Sequence, residues 1–201
     1  MFEEDFFRLI QHPDQRAMRV LQQRVAARVS REFDEVRKLY GVDVAYKGKN
    51  AVGAIASEDY ENYTIKKVRF PYIPTYFAFR ELPVLWVLVK KCDGCIIFDG
   101  NGMLHPYHAG LATMAGVILE KQTIGMAKSL LCGTLSGDHI LLNGEVIGAV
   151  VHSSERPIYV SVGNKITVEQ AVQTVSDNCH HRVPEVVRKA HMLANRIAKR
   201  I

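Results

Sequence analysis

The change of texture near residue 75 constrains this chain most. Before it, three strand-like segments (about 40–46, 51–57 and 63–70) follow one another across short polar turns such as Lys47-Gly-Lys-Asn50. Connections that short favour antiparallel neighbours. After it, a helical stretch (about 75–91), an apolar strand (94–99), a second helix (about 107–119) and another strand (122–128) alternate. Strands alternating with helices call for parallel crossovers. The only sheet that holds both halves is a mixed one with helices on its faces.

The remaining elements fit this frame. A helix is expected over 13–34, where Met18, Leu21, Val25, Val29 and Phe33 recur at three- and four-residue steps. Asn143-Gly144 joins Ile140-Leu-Leu to Glu145-Val-Ile-Gly-Ala-Val-Val151 as a hairpin, with a strand at about 158–162. Thr167-Val-Glu-Gln170 is a capping box that opens a helix over 168–179, and Pro184 suits the first position of a last helix, 184–200. Neither an internal repeat nor a linker interrupts the pattern, so one domain is expected over 1–201.

At 201 residues and 48% apolar composition, the chain can bury a proper core. It has no run of about 18 apolar residues, and so no expected membrane span. The first residues, Met1-Phe-Glu-Glu-Asp, are acidic where a secretory signal is basic, and a cytoplasmic location is expected. A net charge of +5 fits a polyanionic partner, with basic residues dense at Arg182, Arg188, Lys189, Arg196, Lys199 and Arg200. Cys92 and Cys95 form a C-x-x-C without a second pair, and Cys132 and Cys179 stand alone. A four-cysteine zinc site is therefore not indicated; buried thiols at a helix-to-strand junction are the simpler reading.

Four titratable residues are out of place for those elements. Asp43 sits mid-strand in Gly41-Val-Asp-Val-Ala45, on the face opposite Val42 and Val44. Glu81 lies in a helix that is otherwise largely apolar. Asp99 ends the apolar run Cys95-Ile-Ile-Phe, at the carboxyl end of a strand, where open α/β sheets collect ligands. His191 flanks the apolar stripe Val186, Ala190, Leu193, Ile197 of the last helix. Singly, Asp99 reads as a turn residue and His191 as a structural histidine. Together, carboxylates delivered from separate elements to one point are how proteins hold a hard divalent cation, which suggests metal-assisted phosphodiester hydrolysis.

Several ordered fragments strengthen that reading: Gly41-Val-Asp43, Pro71-Tyr-Ile-Pro74, Ala78-Phe-Arg-Glu81 and Phe98-Asp-Gly-Asn-Gly102 with His105-Pro106. Gly110-Leu-Ala, Ile124-Gly-Met-Ala-Lys-Ser129, Arg182-Val-Pro-Glu185 and Arg188-Lys-Ala-His191 continue the series. In order and spacing, over about residues 20 to 198, the chain resembles the endonuclease V family of inosine-directed repair nucleases. The resemblance implies an RNase H-like α/β fold with a five-stranded mixed central sheet and an extra hairpin. It implies hydrolysis of the second phosphodiester bond 3′ to a deoxyinosine, leaving a 3′-hydroxyl and a 5′-phosphate, with Mg²⁺ as cofactor or Mn²⁺ in its place.

By position, the resemblance makes Asp43, Glu81 and Asp99 the metal carboxylates, with His191 supporting the metal or its water. It sets His105 and Lys128 by the scissile phosphate. Tyr72, in the stiff segment Pro71–Pro74, becomes a wedge pushed into the base stack. Thr75, Phe77, Gly100, Gly110 and Leu111 become the pocket for the lesion base. The implied partner is deoxyinosine-containing DNA, single- or double-stranded, or inosine-containing RNA, met by a monomer away from any membrane. The sequence departs from the family in three places: Thr75 stands where glycine is common, Tyr107 where arginine is common, and Leu130 where a basic residue is common. Two other readings stay open: an RNase H-like nuclease with a different nucleic-acid target, and a non-catalytic nucleic-acid-binding module.

Overall fold

The structure is a computed structural model that describes residues 2–32, 35–153 and 156–201. Its centre is one sheet of nine strands in the order β3-β2-β1-β4-β5-β9-β8-β7-β6 among the described residues. Strands β1 (Leu39–Lys47), β2 (Asn50–Ala56) and β3 (Glu61–Lys67) form an antiparallel meander. Strand β4 (Cys95–Asp99) then pairs parallel with β1, and β5 (Thr123–Ala127) parallel with β4. Each parallel step is bridged by a helix, first α3 (Phe77–Lys90) and then α4 (Leu111–Ile118). These five strands are the mixed sheet expected from the sequence, and the fold is RNase H-like α/β.

The sheet does not stop there. Strand β9 (Ile158–Asn164) pairs antiparallel with β5, and β8 (Glu145–Val151), β7 (His139–Leu142) and β6 (Thr134–Ser136) extend it. The expected hairpin is thus β7–β8, part of the same sheet rather than an appendage. Its turn residues Asn143 (φ 54°) and Gly144 (φ 82°) both take left-handed conformations, as a two-residue hairpin turn of the primed type requires.

Helices cover both faces. Side chains alternate along each strand, so Val42, Ile55, Ile96 and Phe98 point to one face. There they pack under α3, α4, α2 (Gln15–Ala26) and α1 (Phe2–Gln11). The opposite residues, Ala45, Ala54 and Ile97, meet α5 (Val168–Asp177) and α6 (Glu185–Ala198). Helix α1 has no counterpart in the sequence reading. It buries Phe6 and Leu9, and Phe6 stacks on Phe79 with ring centroids 5.2 Å apart.

The helix expected over 13–34 is shorter. Asp14 caps its start by accepting from the Ala17 amide at 2.7 Å, and it ends at Ala26. Beyond it, the Ser30 amide donates to Asn164 Oδ1 at 3.0 Å, and Ser30 O accepts from the Lys165 amide at 2.7 Å. Bonds to the end of β9 outcompete local helical periodicity. Val29 follows the helix, and Phe33 falls outside the described residues. Cys92 and Cys95 are buried free thiols at the α3–β4 junction, and burial pushes both up to about 12. No helix among the described residues is long and apolar enough to cross a membrane.

Candidate active site

The site begins with a glycine. Helix α6 crosses β1 so closely that a Cβ on Gly41 would lie 2.3 Å from the Val186 carbonyl carbon and the Val187 nitrogen. Only glycine permits that approach. It seats α6 on the face of β1 that carries Gly41, Asp43 and Ala45. One turn past the contact, His191 Nδ1 lies 2.7 Å from Asp43 Oδ2. Asn195, one further turn along, donates from Nδ2 to the His191 carbonyl at 2.9 Å and lies 3.1 Å from Nε2. An amide that donates to Nε2 leaves the ring proton on Nδ1, toward Asp43.

Asp99 arrives from the neighbouring strand. Pairing of β1 with β4 ends at Val42 and Phe98, and the next residues on each strand are Asp43 and Asp99. Asp43, Asp99 and His191 each present a ligand atom within 4.8 Å of the others. Lys128, just past β5, closes on Asp99 in an ion pair. Lys128 and His191 also line a cavity of about 330 Å³ with His181, Arg182 and Arg188. Arg182 Nε is buried there without a hydrogen-bond partner.

Glu81 comes from α3, on the other face of the sheet. It is 5% exposed, accepts from the Tyr46 hydroxyl at 3.1 Å, and does not belong to the trio of close ligand atoms. It is nonetheless electrostatically part of the site. Burial, and then the charge of Asp43, push its carboxyl well above the usual range. Burial, and then Asp99, raise Asp43 as well, against the pull of His191. Carboxyls that resist ionisation signal a site short of positive charge. The donors are hard oxygens plus one imidazole, so the residues present fit a divalent ion such as Mg²⁺ or Mn²⁺.

A second cavity, of about 310 Å³, opens on the far side of the Asp99–Gly100 step. Tyr72, Thr75, Phe77, Gly100, Gly110 and Leu111 all line it, joined by Ala78, Asn101, His105 and Leu131. Its walls are close-set backbone: a Cβ on Gly110 would lie 2.3 Å from the Asn101 carbonyl oxygen. Asn101 Oδ1 is buried without a partner. Tyr72 stands at the rim, 68% exposed, with its ring edge-on to Phe77. A tyrosine packed in the core is thereby ruled out.

His105 lies in this second cavity rather than beside Lys128 and His191. It is 4% exposed. Its Nδ1 accepts from the Tyr107 amide at 3.2 Å, so Nε2 carries the proton and donates to Thr75 O at 2.8 Å. Burial lowers His105 to about 4 despite the Thr75 carbonyl, so the ring is neutral at pH 7. Thr75 itself has φ 69°. A β-branched residue there is strained, and a glycine, which the resemblance leads one to expect at this place, would not be.

Sequence reasoning passed over Tyr46, Asn101, Asn195 and Leu131. Asn195 had a signal, since it lies four residues from His191 and shares its helix face. Tyr46 had none: strand alternation turns it to the face opposite Asp43.

Comparison with known proteins supplies the family. The Endonuclease V family model matches residues 19–192. An endonuclease V of Thermofilum pendens is 38% identical over 83% of this chain and 80% of its own length. One of Sulfolobus acidocaldarius is 37% identical over 84% and 86%. Among solved structures, the catalytic domain of human endonuclease V superposes with a TM-score of 0.83 at 26% identity, over 94% of this chain and 98% of that one. Ciona intestinalis endonuclease V, in complex with a 24mer DNA containing an inosine followed by a ribo-adenosine, gives 0.77 at 26% identity, over 89% and 95%. The chain belongs to the endonuclease V family.

Proposed function

We propose that this chain is a Mg²⁺-dependent deoxyinosine endonuclease that cuts the second phosphodiester bond 3′ to the lesion. The observation that carries the proposal is the adjacency of two unlike sites. A carboxylate–imidazole trio within 4.8 Å stands on one side of the Asp99–Gly100 step, and a backbone-lined cavity with an exposed tyrosine at its rim stands on the other. The Ciona relative's inosine-containing DNA supports the choice of lesion.

Each residue has a share of the work. Asp43 and Asp99 would hold the ion, with Glu81 behind them and His191 fixing the Asp43 carboxylate. When bound, a divalent ion activates water and stabilises charge on the reacting phosphate. Water adds to phosphorus, the bond from phosphorus to O3′ breaks, and O3′ takes up a proton, leaving a 3′-hydroxyl and a 5′-phosphate. Lys128, beside Asp99, offers its ammonium to the phosphate. Tyr72 fills the gap left when the lesion base leaves the stack, and the cavity around Thr75, Gly100 and Gly110 takes that base. Neutral His105 holds a cavity wall through Thr75 O. In this reading a single domain, 1–201, works as a monomer in the cytoplasm.

The test is a cleavage assay with Mg²⁺ on matched strands, inosine-containing and control, offered as single-stranded DNA, duplex DNA and RNA. Cutting confined to inosine strands, one phosphodiester beyond the adjacent bond, is expected. Equal cutting of inosine and control strands would defeat the lesion assignment. No Mg²⁺-dependent cutting of any strand would leave a binding module.

A further inference from the structure

One buried polar side chain ties the cavity together from behind. Gln22 of α2 is 0% exposed, yet it belongs to a helix whose other buried residues, Met18, Leu21 and Val25, are apolar. Its Nε2 donates to Ala109 O at 2.8 Å and to Thr75 O at 3.0 Å. Both partners are carbonyls, so the amide must present its NH₂ to them and its orientation is settled. Its Oε1 is left buried without a partner. An orphaned buried acceptor is costly, and leucine or methionine would fill the helix stripe without that cost. The two donated bonds are what the glutamine provides.

Those bonds join two separate stretches of chain that line the cavity. Thr75 stands on the Pro71–Tyr76 side and lines the cavity directly. Ala109 immediately precedes Gly110 and Leu111, which line it from the start of α4. Gln22 reaches both from outside and holds them at a fixed separation. Thr75 needs the restraint more than an ordinary residue: its φ of 69° is strained for a β-branched side chain, and its carbonyl is gripped twice, by Gln22 and by His105 Nε2.

We infer that Gln22 is a specificity-determining positioning residue, which sets the width of the lesion cavity by bridging the Thr75 and Ala109 carbonyls. It touches neither base nor phosphate. It acts by keeping the cavity narrow enough to accept hypoxanthine and to reject guanine, which carries one additional amino group. The inference rests on the inosine-directed function proposed above.

The variant that tests it is Gln22→Met, which keeps the length of the side chain and removes both donors. Steady-state cleavage is measured on single strands with inosine or guanosine at one position. The inosine-to-guanosine ratio of kcat/KM is expected to fall about tenfold, through a rise in kcat/KM on the guanosine strand while kcat on the inosine strand at saturation holds. Gln22→Asn, which keeps a buried amide but shortens its reach, is the second variant and is expected to give an intermediate ratio. A merely structural role would slow both strands alike, and an unchanged ratio in either folded variant overturns the assignment. Failure of both variants to fold would make Gln22 a core residue and overturn it too. A wild type that shows no preference for inosine defeats the proposed function itself, and that result is visible before any variant is made.

Discussion

The acid cluster and the lesion cavity meet at the Asp99–Gly100 step and are built on opposite plans. The cluster takes charged side chains from rigid elements: Asp43 from β1, Asp99 from β4, His191 from α6. The cavity takes backbone and small residues from connections and helix starts, around Thr75, Gly100 and Gly110. Charge held on a strand or helix gives a fixed geometry for chemistry. Backbone at Gly100 and Gly110 lets a flat base approach closely there. The contrast predicts that damage to the first plan abolishes turnover, while damage to the second changes selectivity and binding.

The largest effect tests the first half of that contrast. Asp43→Ala should lower Mg²⁺-dependent cleavage at least about a thousandfold, on the order of 4 kcal/mol of barrier, while binding of an inosine strand persists. Gel-shift and single-turnover measurements on one preparation check both. Equal loss of binding and cleavage would erase the distinction between the two sites.

The next concerns protonation in the cavity. Burial holds folded His105 at about 4, below its ordinary 6.5. The stability that comes from keeping it neutral is therefore present above pH 6.5 and is lost as pH falls from 6.5 through about 4. The loss is at most about 3 kcal/mol. His105→Gln keeps a donor for Thr75 O and removes this titration. Denaturant unfolding in cation-free buffer should show the wild type losing more stability than the variant between pH 7 and pH 4. A constant difference would mean that burial does not shift His105, which would then titrate in the fold as it does in the unfolded chain.

Tyr72→Ala sharpens the cavity side. Base stacking on an aromatic contributes about 1–3 kcal/mol, so affinity for the inosine strand should fall about tenfold or more. Because the ring is 68% exposed, the melting temperature should hold. A large thermal loss with unchanged affinity would return Tyr72 to a structural role.

Thr75→Gly is the mildest. Relief of the strained φ outweighs the added freedom of the unfolded chain, for a net gain of about 1 kcal/mol. Calorimetry should show a rise of about 2–4 °C. A fall would mean that the threonine side chain contributes more than its backbone conformation costs.

The two plans also differ in how far they could be read from residues alone. Asp43 was legible because strand alternation sets it apart from Val42 and Val44, and a carboxylate there needs a reason. His191 was weak alone and became persuasive only with the acids. The cavity residues were readable only through resemblance, since a glycine or a carbonyl carries no chemical mark. Local periodicity puts a polar Gln22 on the wet side of its helix, and nothing in it shows that α2 lies against Ala109, 87 residues away. The same limit explains the outer strands. β5 pairs with β9, and that register depends on partners far along the chain rather than on turn residues. The helix overrun past Ala26 has the same origin, in the bonds between Ser30 and the end of β9.

The central claim is that the acids on β1 and β4 jointly hold a divalent ion. Crystals soaked in Mn²⁺ and measured at the manganese absorption edge test it directly. The account predicts an anomalous peak in contact with both the Asp43 and Asp99 carboxylates, absent from Asp43→Ala crystals treated alike. No peak at saturating Mn²⁺, or one that touches neither acid, would contradict it.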